Sequence, residues 1–397
     1  MISLAGRDIL HSWAKYVYTG IGLGLLIGVT LSMAGIYRGM VDDAQALLKN
    51  SGADIWVVQK DTLGPYAEPS SVRDDAYRTI MGLANVAQAA NVTYLTMQVQ
   101  QEGHDVRVMA VGFEPDQPGQ PPYLSQGRHI ARSHYEAIAD VKTGFQLGDR
   151  IKIRRHEYTV VGLTRRMVSS GGDPMVFIPL KDAQEAQFQK DNDAILNERA
   201  RSAANPAFNR PGAADVLGAV QSLQTTSHSV NAILVRVGNG ANSAEVAADI
   251  RRWKHLQAYT LPQMEEILVA KLIATSAKQI GLFLIILAVV SAAIVSFIIY
   301  TMTLGKIREL AVLKLIGTTN LTIAGMILQE SLGLGVIGFV IGKITATLWA
   351  PYFPKYVLLL NSDAILGFLA VMAVCALASI MAIRAALKVD PATAIGG

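Results

Sequence analysis

The sequence has a single cysteine, Cys375, and it lies in an apolar run. No intramolecular disulfide can form and no cysteine-based metal site can be built, so any exported part must hold together through its core. Charge is also sparse: Asp, Glu, Lys and Arg are 17% of 397 residues, against 51% hydrophobic. That is too apolar for a soluble chain of this length, and it implies several membrane spans beside a water-facing part. The net charge is only +4, and the Lys and Arg residues form no run interleaved with aromatics, which argues against a nucleic-acid binder. No phosphate loop of the form Gly-x-x-x-x-Gly-Lys-Ser/Thr occurs, so ATP hydrolysis is not expected of this chain. The histidines are His11, His104, His129, His134, His156, His228 and His255. None forms a His-Glu-x-x-His pair, and they read as surface residues rather than metal ligands. A Gly-x-Ser-x-Gly elbow is absent too, and no catalytic, cofactor-binding or metal-binding residue is expected.

What is present is four long apolar runs. Residues 16–37 carry no charge, and 22 residues of helix reach about 33 Å, enough to cross a bilayer core. The run is longer than the apolar part of a cleaved signal peptide, so a retained helix is expected. Residues 279–304, 321–342 and 364–383 supply three more spans, the third run interrupted by Glu330. On one side the short flanks hold Arg7, Lys15, Lys306, Arg308, Lys314, Arg384 and Lys388; the outer loop 343–363 holds only Lys343 and Lys355. The excess of basic residues places the 1–15 and 384–397 termini and the 305–320 loop in the cytoplasm. Trp349, Tyr352, Phe353 and Tyr356 in the outer loop fit an interfacial belt, where Lys343 would snorkel. Gly20, Gly24 and Gly28, and again Gly338 with Gly342, are spaced four apart, the pattern for close helix packing within one chain or between two copies.

The fold class expected is therefore membrane α-helical, four transmembrane helices arranged one plus three, with a large α+β extracytoplasmic domain (38–278) between helices 1 and 2. Helical extensions are expected at Arg38–Lys49 and Leu261–Lys278, the latter with Met264, Ile267, Leu268, Lys271 and Leu272 at helical spacing. Between them Ala53–Gln59 reads as a strand and Ser71–Met81 as a helix. Val92–Gln100 with Asp105–Phe113 reads as a hairpin, as does Asp149–Ile153 with Tyr158–Leu163. Arg128–Val141 reads as a helix, Met175–Ile178 as a strand, and Val230–Val237 with Ser243–Lys254 as strand then helix. Asn192–Gly212, rich in Ala, Asn and Arg with two prolines, reads as an exposed excursion.

A charged stretch, Thr301–Ser331, separates the second and third spans. Lys306-Ile307-Arg308-Glu309-Leu310-Ala311-Val312-Leu313-Lys314 is bounded by Gly317, and Thr318-Thr319-Asn320 offers N-cap chemistry for the next helix. Glu330 is the one carboxylate inside an apolar run. It reads either as an interfacial residue, capped or paired with Lys314 or Arg308, or as a mechanistic one.

The pattern Lys-x-Arg-Glu-x-Ala-Val-Leu-Lys-x-Ile-Gly from Lys306 to Gly317 resembles the coupling segment of MacB/FtsX/LolC-type ABC transporter permeases. Ala53-Asp54-Ile55-Trp56-Val57, Leu147–Ile151, Tyr158–Gly162, Val176–Leu180 and the closing Asp390-Pro391-Ala392-Thr393-Ala394 resemble that family as well, members with a separate ATPase (DevC-like or haem-exporter-like) most of all. MacB itself carries a fused ATPase domain that this sequence lacks. The resemblance implies an inner-membrane permease subunit whose Lys306, Arg308, Glu309, Leu313, Lys314 and Gly317 seat on a cytoplasmic ATPase that holds ATP and Mg. It further implies a second copy of the chain, surrounding lipid, and a periplasmic adaptor with an outer-membrane channel as partners. Export by mechanotransmission is the first function implied, and FtsX-like signalling to a cell-wall hydrolase the second.

Overall fold

The computed structural model describes residues 13–101, 104–188, 192–208, 214–225, 228–353 and 355–388. The chain divides into two compact units, Met1–Met40 with Thr275–Gly397, and Val41–Ala274. Among the described residues, four helices are long and apolar enough to cross a membrane.

The first helix, α1, runs unbroken over Trp13–Asn50. It contains no proline, and its glycines do not interrupt it, because in lipid the backbone has no alternative hydrogen-bond partner. The inserted unit follows with β1 (Ile55–Gln59), β2 (Val72–Arg73), α2 (Ala76–Met81), β3 (Val86–Gln101), β4 (His104–Phe113), β5 (Gln126–Gly127) and β6 (Glu136–Asp140). Next come β7 (Arg150–Ile153), β8 (His156–Thr164), β9 (Met175–Pro179), α3 (Leu180–Phe188), α4 (Asn192–Ala204) and α5 (Ala214–Thr225). The unit closes with β10 (Ser229–Val230), β11 (Ala232–Val237), α6 (Ser243–Arg251), β12 (Leu256–Thr260) and α7 (Leu261–Ile267).

The main sheet has the order β12-β1-β11-β3-β4-β9-β6-β8-β5, with β7 against β3 and β8. Its spine is the long strand β3. Residues Val86–Val92 pair with β11 and Thr93–Gln101 with β4, both antiparallel. Two apolar cores result. Ile55, Val57, Ile80, Ile233, Val235 and Ile250 fill one, and Val108, Ile151, Ile153, Val160, Val176 and Ile178 the other. Helix α3 crosses β4 at Gly112, where a Cβ would lie 2.2 Å from that of Ala183.

Four sequence expectations are corrected here. Arg128–Val141 is not a helix: it is an exposed loop leading into β6, all five residues of which are buried. The backbone N–H groups of Ala131 and Arg132 donate to Glu136 Oε2, at 2.9 and 3.1 Å, so they are spent on a side chain. Tyr135 then takes a positive φ of 64° that no helix accommodates. Ser71–Met81 begins as β2, which pairs with β10, and becomes helical only at Ala76. Asn192–Ala204 is a regular helix, because Ala, Leu, Glu and Arg are strong helix formers even without an apolar stripe. The helical spacing from Met264 also fails after Leu268. Leu268–Ile273 is a π-helical segment, so Leu268 and Ile273, five apart, are both buried while Lys271 is exposed.

The remaining membrane helices are α8 (Ala274–Gly305), the short α9 (Ile307–Leu315), α10 (Asn320–Trp349) and α11 (Asn361–Lys388). The glycines singled out by spacing bring α1 and α10 together within one chain. A Cβ at Gly20 would lie 2.7 Å from Ile337 Cγ2, at Gly24 2.6 Å from Ile341 Cγ2 and at Gly28 3.1 Å from Gly342 O. From the other side, Gly338 would meet Leu23 at 2.7 Å and Gly342 would meet Gly24 O at 2.8 Å. Farther along α1, Gly35 O accepts from Leu358 N at 3.0 Å, and a Cβ at Gly39 would collide with Tyr356 O at 1.8 Å. Arg38 joins Asp363 in the first turn of α11 through two hydrogen bonds, at 3.2 and 3.1 Å.

Two predictions follow from this packing. Gly342→Leu should destabilise the detergent-solubilised chain by about 1–3 kcal/mol through overpacking. Gly22→Leu, where an added Cβ meets nothing within 4 Å, should leave the thermal transition unchanged. The second concerns Glu136, whose pKa is lowered to about 2 from 4.5, chiefly by its hydrogen bond to Arg128 and against the opposing effect of burial. A depressed folded-state pKa stabilises above the unfolded value. Glu136→Gln should therefore cost on the order of 2 kcal/mol at neutral pH in urea unfolding. That difference should shrink as the pH falls from 4.5 toward 2.

Candidate coupling site

The segment between α8 and α10 is built by ordinary helix-end chemistry. Lys306, with φ −104° and ψ 9°, interrupts the helix after Gly305 and begins α9. At the other end Gly317 adopts φ +93°. Thr318 N donates to Leu313 O at 3.1 Å and Gly317 N to Lys314 O at 3.2 Å, the paired bonds of a Schellman motif. Nothing lies within 4 Å of a Cβ placed on Gly317, so the glycine serves its backbone angle rather than a tight space. Thr319 caps α10, its side chain accepting from Thr322 N.

The six residues expected to form one contact surface divide into two groups. Arg308, Glu309 and Gly317 are exposed. Lys306, Leu313 and Lys314 turn toward the bundle: Leu313 packs on its apolar core, beside the fully buried Leu310 and Ala311. Lys314 Nζ donates to Leu387 O of α11 at 3.0 Å. Exposed apolar residues complete the outer face. Leu315 is 63% exposed and Ile316 77%, with Val312 beside them. Sequence reasoning missed these three; the signal was the run Val312–Ile316, too apolar for a solvated loop.

The partner that Glu330 meets is Lys306, which the sequence expectation did not name. Glu330 Oε2 lies 3.1 Å from Lys306 Nζ, and the two side chains are only 11% and 15% exposed. The same ammonium donates to the hydroxyl of Tyr16 at 3.1 Å and lies 5.4 Å from the centre of its ring. Tyr16 is itself buried. A lysine, a carboxylate and a phenol from α1, the α8–α9 junction and α10 thus meet at one point. An ion pair this far from water persists only when both charges are closely matched and hydrogen-bonded. Deeper in the bundle, Ser331 Oγ donates to Cys375 O at 2.7 Å, and a Cβ at Gly335 would lie 2.8 Å from Cys375 Sγ, so the lone cysteine fills a helix contact.

The inserted unit offers structural polar clusters. Asp182, buried at the start of α3, accepts from Tyr135 N at 3.0 Å and lies 2.5 Å from His134 Nδ1. Burial and this carboxylate push the Tyr158 phenol far above its ordinary pKa. Tyr66 and Tyr94 share a hydrogen bond of 2.9 Å beside Trp56, and burial pushes Tyr66 up to about 12. Neither arrangement supplies a nucleophile beside a base. Among the described residues no group of three His, Cys, Asp or Glu side chains could hold a metal ion.

Comparison with known proteins gives two family matches. A MacB-like periplasmic core domain covers residues 18–253, and an FtsX-like permease C-terminal domain covers residues 281–391. An uncharacterized ABC transporter permease of Mycobacterium tuberculosis (strain ATCC 25618 / H37Rv) is 24% identical over 402 residues, covering 100% of both chains. A putative hemin transport system permease protein of Staphylococcus haemolyticus (strain JCSC1435) is 20% identical over 404 residues, covering 100% of this chain and 99% of its own length. The periplasmic region of MacB from Actinobacillus actinomycetemcomitans aligns with 54% of this chain and 91% of its own, at a TM-score of 0.35 and 10% sequence identity.

Proposed function

Because the chain belongs to the MacB/FtsX family of ABC transporter permeases, we propose that it couples ATP hydrolysis by a separate cytoplasmic ATPase to movement of its large inserted domain on the far side of an inner membrane. The observation that carries this reading is the outer face of α9. A nine-residue helix between two membrane spans exposes Val312, Leu315 and Ile316 beside Arg308 and Glu309. Apolar side chains held in water are unfavourable by about 1.5–3 kcal/mol each relative to burial, so such a face is built to be covered. The excess of Lys and Arg on this side supports a cytoplasmic placement, with both termini, and an ATPase is the cytoplasmic partner a permease requires. ATP and Mg belong to that subunit.

A nucleotide-driven ATPase dimer presents two equal docking sites, which two copies of this chain would fill. Among the described residues, the buried polar groups of the membrane bundle are few: Ser32, Thr303, Ser331 and Ser379. This supports displacement of helices over conduction through the bundle of one chain. The hemin named for one relative supports an amphiphilic substrate.

Purification of the chain from its own host in mild detergent, followed by mass spectrometry, tests the assignment. A P-loop ATPase in equal amount is expected. Leu315→Glu with Ile316→Glu should weaken its association by about a hundredfold or more, from the loss of two buried anchors. Arg308→Ala with Glu309→Ala should weaken it less. Retention of the ATPase by the Leu315/Ile316 variant would remove the docking assignment. A peptidoglycan hydrolase in place of an adaptor would turn the reading toward signalling.

A further inference from the structure

Lys306 stands at the end of a helix, next to the exposed Arg308 and Glu309, where water is within reach of a four-carbon side chain. Lysines in that setting snorkel outward. This one turns inward and spends its ammonium on Glu330 and Tyr16, at 3.1 Å each. Burying a charged pair is unfavourable unless the geometry is good, and an apolar pair would serve packing alone as well or better. What an ion pair adds is a fixed, directional tie.

The position of the tie matters. Glu330 lies ten residues beyond Asn320, or about 15 Å along α10. The C-terminal end of α9 is joined to the start of α10 by the short turn at residues 316–319. Helix α9 is therefore fastened to α10 at two separated points, through the turn and through Lys306. The tie to Tyr16 adds α1.

We infer that Lys306 is a positioning residue, the fulcrum through which a push on the exposed face of α9 reaches α1 and α10 together. The inference rests on the permease reading for the origin of the push. On this inference Lys306 and Glu330 act behind the docking face rather than on it. Helix α1, continuous from Trp13 to Asn50, is the element that would carry the displacement outward.

The test uses the complex of full-length chain and its own ATPase, reconstituted in lipid nanodiscs, in a Cys375→Ala background with Asn50→Cys as the one spin-label site. The wild-type pair should show a nucleotide-dependent change in the distance between labels on two copies. In Lys306→Met and in Glu330→Gln the ATPase should remain bound at wild-type stoichiometry, while the population that shifts on nucleotide binding falls by about tenfold, the scale of a typical coupling free energy. The exchange Lys306→Glu with Glu330→Lys should restore much of the shift, which a merely structural loss would not. If Lys306→Met fails to fold, Tyr16→Phe carries the test, since it keeps the ring and removes only the acceptor oxygen; a reduced shift is expected. A full shift in the folded single variants would overturn the inference. So would loss of the ATPase from Lys306→Met, which would make Lys306 a docking contact. Absence of any ATPase from the wild-type complex is a different failure, that of the permease reading itself.

Discussion

Two backbones can come into contact inside a lipid bilayer only where side chains are missing, and the contact between α1 and α10 is built on that constraint. Gly24 and Gly342 each approach the opposite helix within the space a methyl group would need. The rest of the membrane unit is attached to α1 in sequence along its length. Near its start, Tyr16 receives Lys306. Through its middle, the glycines receive α10. Beyond that, Gly35 and Gly39 receive the chain at Tyr356–Leu358, and Arg38 receives Asp363 of α11. If α10 stood a few ångströms farther away, Glu330 could not meet the ammonium that Tyr16 also holds.

Charge is used sparingly in this unit, and each instance fixes a helix end. Lys306–Glu330 fastens the start of α9, Lys314 joins α9 to the Leu387 carbonyl of α11, and Arg38–Asp363 ties α1 to the first turn of α11. With its lysines turned inward, α9 presents leucine and isoleucine outward. Leu310, Ala311 and Leu313 pack inward and Arg308 and Glu309 stay exposed, as in an ordinary amphipathic helix, but Val312, Leu315 and Ile316 add an apolar patch to the exposed side. That patch is the physical ground for a protein partner there.

Much of the fold was legible in the sequence because membrane spans and antiparallel hairpins are marked by local patterns. A run of twenty uncharged residues or a turn between alternating strands is readable without tertiary information. What escaped was decided by distant contacts. Strand β6 hides as Glu-Ala-Ile-Ala-Asp, buried on both faces and so without alternation, and its preceding loop is shaped by one carboxylate. In the charged segment, residue types and the glycine stop were readable, but the direction each side chain takes was not. Lys306 and Lys314 looked equivalent to Arg308 until α9 was seen folded against the bundle. Tyr16 is 290 residues from Lys306, and no spacing rule links them.

The two connections between the membrane unit and the inserted domain are unlike in a way that bears on mechanism. Helix α1 makes its connection as regular α-helix throughout, with every backbone bond of the same kind. The return connection passes through the π-helical segment Leu268–Ile273 before α8 begins. A π turn holds one more residue than an α turn, and such insertions are places where helices kink. Its retention here follows from burial, since it is what places both Leu268 and Ile273 in the core. A regular helix resists bending along its whole length, whereas an inserted π turn concentrates bending at one place.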